Sequence, residues 1–101
     1  MIDIGLNNIE FDKLISIINK FPEIDKAIIF GSRAIGNYKN TSDIDIALVF
    51  NQNFGTIRKL REEYEENTNL PYMIDVQDYN SINNINLKEH IDTFGKVIFT
   101  K

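Results

Sequence analysis

Apolar residues recur along this chain with two different periods, and the switches between them mark out its elements. From about Asn7 to Lys20, Phe11, Leu14, Ile15 and Ile18 follow the i, i+3, i+4, i+7 spacing of one helical face, with Ile17 widening the stripe. Asn7 with Glu10 three residues later suits an N-terminal capping arrangement, and Pro22 closes the segment. Ala27-Ile28-Ile29-Phe30 is a short unbroken apolar run ended by Gly31, the pattern of a buried strand. Gly31 to Thr41 reads as a turn with room for one short helix, begun by Gly31-Ser32 and ended near Gly36-Asn37. Ser42 to Phe50 then alternates. Ile44, Ile46, Leu48 and Phe50 fall on one side, and Asp43, Asp45, Ala47 and Val49 on the other, which predicts a strand buried on one face.

Helical spacing resumes at Gly55, with Ile57, Leu60, Arg61 and Tyr64 on one face as far as Asn67, where Asn69-Leu70-Pro71 breaks it. Tyr72 to Val76 is a second alternating strand, with Met73 and Asp75 on one face and Ile74 and Val76 on the other. Leu87, Ile91 and Phe94 mark a helix from about Ile82 to Phe94; Gly95 stops it, and Lys96 to Thr100 forms a last strand. This order predicts one layered α/β (α+β) domain over residues 1–101, a mixed sheet of about four strands flanked by helices. The eleven residues joining the first two strands are few for a parallel crossover, so those strands are expected to be antiparallel.

Composition narrows the chemistry. A chain of 101 residues that is 43% hydrophobic and 26% charged has room for one modest core. Its formal charge of −4 argues against nucleic acid as the main partner. The basic run Arg58-Lys59-Leu60-Arg61 is followed at once by Glu62-Glu63, as on a solvated helix face. No apolar run approaches a membrane span, and Met1 to Gly5 carries no basic leader-like start, so a cytoplasmic protein is expected. Without cysteine, a metal would be held by oxygen or by His90, which alone on its helix reads more simply as a packing or surface histidine.

The candidate chemistry lies in the carboxylates. Asp43 and Asp45 share a strand face about 6.6 Å apart, and at that distance two charges repel by roughly 2.5 kcal/mol at an effective dielectric of 20. A divalent cation would relieve this, and hard oxygen ligands suit Mg²⁺. Asp75 interrupts an apolar strand and would supply a third ligand to a two-metal site. Taken singly, each has a plainer reading: outward aspartates guard strand edges, and a buried acid can be satisfied by hydrogen bonds. Gly31-Ser32 after a buried strand can cradle phosphate, though such pairs are often only turns. Arg33 suits either a triphosphate contact or packing at the sheet edge, and Ser42 a hydrogen bond at the strand start or at a nucleotide.

Together, Gly31-Ser32-Arg33-Ala34-Ile35-Gly36 and Ser42-Asp43-Ile44-Asp45-Ile46-Ala47 resemble the signature of the DNA polymerase β-like nucleotidyltransferases. Ile74-Asp75-Val76 stands where that superfamily has its third carboxylate, and the closing Gly95-Lys96-Val97-Ile98-Phe99 resembles the minimal nucleotidyltransferase (MNT) family. The resemblance implies a nucleotidyltransferase fold, two Mg²⁺ ions on Asp43, Asp45 and Asp75, and transfer of a nucleoside monophosphate, AMP from ATP, to a hydroxyl. It implies that Gly31 and Ser32 hold the β- and γ-phosphates, with Arg33 and Ser42 as further nucleotide-binding candidates. It also implies a partner, a HEPN-domain toxin modified on tyrosine and neutralised by this chain as antitoxin. Two other functions stay open at this point. One is a binding module that neutralises its partner by occlusion. The other is transfer to a small molecule, for which the related aminoglycoside-modifying enzymes use an added helical domain.

Overall fold

The first helix begins where its cap does. In the computed structural model, which describes residues 2–101, Asn7 Oδ1 accepts the Glu10 N–H at 2.8 Å and Glu10 Oε1 accepts the Asn7 N–H at 3.0 Å. This reciprocal cap starts α1 (Asn8–Ile18), which buries Leu14, Ile17 and Ile18. Met1, the first residue of the expected domain and of the stretch read for a leader, lies outside the described residues. After α1 come β1 (Ile24–Phe30), α2 (Ser32–Ile35), β2 (Ile44–Phe50), α3 (Thr56–Asn67), β3 (Ile74–Asp78), α4 (Ile85–Phe94) and β4 (Lys96–Thr100), with one 3-10 turn at Tyr79–Ser81.

Strand limits depart from the apolar pattern wherever pairing overrides it. β1 starts at Ile24 instead of Ala27, because Lys26 pairs with Val49 on one side and Thr100 on the other, although Asp25 and Lys26 break the apolar run. β3 starts two residues later than Tyr72. The Ile44 N–H donates to the Met73 carbonyl at 2.8 Å, and Ile74 takes register with Ile44, so Gln77 and Asp78 run on opposite Ala47 and Leu48. On α3, Arg61 is exposed, and Thr56 joins Leu60 and Tyr64 on the inward face instead.

The strands form one sheet in the order β3-β2-β1-β4. β1 is antiparallel to both β2 and β4, while β2 and β3 are parallel, so the sheet is mixed as expected. On one face Ile29, Ile44, Ile46, Leu48 and Val76 pack against Leu14 and Ile18 of α1 and Leu60 and Tyr64 of α3. The expectation that β2 is buried on one face only needs correction. On the other face Phe30, Ala47 and Ile91 of α4 form a second, smaller cluster with Ile28 and Leu87. That cover stops short of the start of β2, where Asp45 is half-buried and Asp43 exposed. Among the described residues no helix is long and apolar enough to cross a membrane.

Candidate active site

The bend that follows β1 admits only glycine, for two reasons. Gly31 lies at φ +73° and ψ −154°, a region essentially closed to other residues. A β-carbon there would also run into Asp45 Oδ2. The turn and the carboxylate are therefore packed against each other, and the half-buried Ser32 opens α2 directly after it.

Register then aligns the acids. Phe30 of β1 stands opposite Asp45 of β2, and Asp45 stands opposite Asp75 of β3. Neighbouring strands are about 4.8 Å apart, so the backbones of Asp45 and Asp75 lie closer together than those of Asp43 and Asp45. Asp43 precedes β2, which begins at Ile44 instead of Ser42, and stands two residues before Asp45 in the chain. Burial, and then the charges of Asp75 and Asp43, push the Asp45 carboxyl above its ordinary value, which the Arg33 guanidinium offsets in part. The ion pairs among the described residues, Lys20–Glu63 and Arg58–Glu62, lie elsewhere.

Three carboxylates repelling one another, with only oxygen donors, are a set whose chemistry fits Mg²⁺. Their side chains nevertheless do not close into a cage. Among the described residues no group of three His, Cys, Asp or Glu side chains stands ready to hold a metal ion. Asp75 Oδ1 instead accepts a long 3.4 Å bond from Gln77 Nε2.

Arg33 does not face this site. It is 1% exposed, and its Nε and Nη2 donate to the Ser42 carbonyl at 3.1 and 2.8 Å. Nη1 donates to the carbonyls of Ile4 at 2.9 Å and Gly5 at 3.3 Å, and the guanidinium stacks on Tyr72 and Tyr38. With its donors spent on main chain, Arg33 is unavailable to a triphosphate and clasps the N-terminal segment to the start of β2. Ser42 closes the same corner, its Oγ accepting the Lys39 N–H at 2.8 Å.

Residues 12–101 match the family described as Polymerase beta, Nucleotidyltransferase. The chain belongs to that family. A protein of Methanocaldococcus jannaschii named "Putative protein adenylyltransferase" is 39% identical over 79 residues, which are 78% of this chain and 83% of that protein. A chain of a toxin–antitoxin crystal structure with AMP-PNP shares the fold at a TM-score of 0.72 and 23% identity, covering 90% of this chain and 73% of its own. A chain of the tri-AMPylated Shewanella oneidensis HEPN toxin in complex with MNT antitoxin superposes with a TM-score of 0.67 at 20% identity, over 95% of this chain and 74% of that one.

One residue of this nucleotidyltransferase's site was hidden from sequence reasoning. His90 of α4 accepts the Gly31 N–H on Nε2 at 2.9 Å. Its ring meets Phe30 edge-on at 6.3 Å and Phe94 at 5.5 Å. Only the i, i+4 spacing of His90 and Phe94 hinted that the imidazole packs against aromatic neighbours, and nothing in the chain pointed to Gly31.

Proposed function

We propose that this nucleotidyltransferase moves AMP from ATP, with Mg²⁺, to a tyrosine hydroxyl of a HEPN-type toxin, and that it serves as the cytoplasmic antitoxin of that toxin. The observation that carries this reading is the pairing of Asp45 with Asp75 beside the Gly31 turn, on the half of the sheet that α4 leaves open. The name of the Methanocaldococcus relative, the AMP-PNP in one neighbour and the AMPylated HEPN toxin in another support the donor, the acceptor and the partner.

Asp43 and Asp45 would hold two Mg²⁺ ions, with Asp75 sharing one of them. Once bound, the ions would neutralise triphosphate charge and polarise the α-phosphate. Gly31 contributes clearance more than a donor, because its N–H is already given to His90. Ser32 offers its hydroxyl and backbone N–H to the β- and γ-phosphate oxygens. The acceptor oxygen attacks the α-phosphorus as the bond to the α–β bridging oxygen breaks. Pyrophosphate leaves, and Asp75 takes the hydroxyl proton. Met73, directly before β3 and 74% exposed, leaves an apolar side chain open to a partner.

Incubation with α-labelled ATP, Mg²⁺ and the cognate toxin tests the proposal. Label should appear on a toxin tyrosine, and Asp43→Ala with Asp45→Ala should abolish it while the circular dichroism spectrum is retained. A toxin inhibited without gaining mass would favour occlusion, and normal transfer by the double variant would overturn the mechanism.

A further inference from the structure

We infer that His90 is a positioning residue of the nucleotidyl-transfer site: by accepting the Gly31 N–H, it holds the glycine turn in the conformation that seats Asp45 and receives the triphosphate. The inference rests on the nucleotide-binding reading above and extends it to a helix that carries none of the candidate acids.

Gly31 is held from both sides. Its carbonyl accepts the N–H groups of Ala34 at 3.1 Å and Ile35 at 3.3 Å, so α2 fixes that peptide. No side chain caps α2 locally. The amide side is fixed instead from 59 residues away, by the Nε2 of His90. This bond requires the neutral imidazole with the lone pair on Nε2, which leaves that nitrogen no capacity to ligate a metal. The ring is in turn located by Phe30, the residue that precedes Gly31 and stands opposite Asp45. Because Asp45 Oδ2 packs directly against the Gly31 α-carbon, a turn released on its amide side would shift against the carboxylate as well as against the phosphates. Ile91 already buries α4 against the sheet, so anchoring the helix does not by itself call for a hydrogen-bonding side chain at the preceding position.

Two substitutions separate positioning from packing. His90→Phe keeps an aromatic ring between Phe30 and Phe94 but removes the acceptor, whereas His90→Gln loses the ring and can present Oε1 near the place of Nε2. The readouts are calorimetric binding of AMP-PNP with Mg²⁺ and amide hydrogen exchange at Gly31. H90F should bind roughly tenfold more weakly, near the upper limit of what one lost hydrogen bond gives, with faster exchange at Gly31 and an almost unchanged melting temperature. H90Q should restore both readouts. Equal binding by the natural chain and H90F overturns the inference, as does an H90Q no better than H90F. Should H90F fail to fold, weak binding by a folded H90Q overturns it too. A natural chain that binds no AMP-PNP with Mg²⁺ overturns the proposed function, and this role with it.

Discussion

Gly31 and Asp45 show how much of this site depends on two atoms in contact. Gly31→Ala would place a β-carbon in a conformation costing about 1–3 kcal/mol and drive it into Asp45 Oδ2. The urea midpoint should fall by a corresponding amount, and transfer should be lost even where the variant is fully folded. For Asp45 the raised carboxyl sets the sign. The folded chain binds that proton more tightly than the unfolded one, so this group favours folding in acid and opposes it as pH rises through its raised value. Asp45→Asn should therefore melt higher than the natural chain near neutral pH. The advantage should vanish below the ordinary aspartate value of about 3.9, and thermal unfolding from about pH 3 to about pH 8 checks it. The Asp-x-Asp pair and the Gly-Ser turn were legible in the chain. The choice left open at Arg33 was not, because an arginine looks the same in sequence whether its donors meet phosphate oxygens or buried carbonyls.

At the scale of elements, α2 is four residues long and is held by what it carries inward. The Arg33 side chain joins it to the Ile4–Gly5 segment and to the Ser42 carbonyl, immediately before Asp43. Arg33→Ala would leave those carbonyls without their partner and a void beside Tyr72. A loss of several kcal/mol is expected, at about 1–3 kcal/mol for each buried carbonyl left unsatisfied, and chemical denaturation measures it. The three longer helices were readable because a 3.6-residue period repeats within each, although α4 begins at Ile85 and not near Ile82, where the 3-10 turn Tyr79–Ser81 ends. The strands were harder. Gln77 and Asp78 offer no apolar signal, yet they belong to β3 because β2 extends beside them. Ala47 alternates with the outward aspartates but is fully buried, because α4 folds back over that half of the sheet.

For the whole molecule, ligand binding and stability are coupled. A folded state that alone binds Mg²⁺ and ATP gains about 2.7 kcal/mol at a hundredfold excess over Kd. The natural chain should show a matching rise in melting temperature by differential scanning fluorimetry, and the Asp43→Ala, Asp45→Ala chain should show none. That coupling joins parts of the chain that differ in how far they could be foreseen. The sequence by itself determined the order of helices and strands, the capped first helix and the antiparallel start of the sheet, since these follow from spacing among near neighbours. Only the tertiary structure decided that Asp75 lies opposite Asp45, that Arg33 is sealed inside and that His90 holds Gly31. Each of those contacts joins residues far apart in the chain, and which of them form depends on strand pairing and helix packing settled by the free energy of the whole fold.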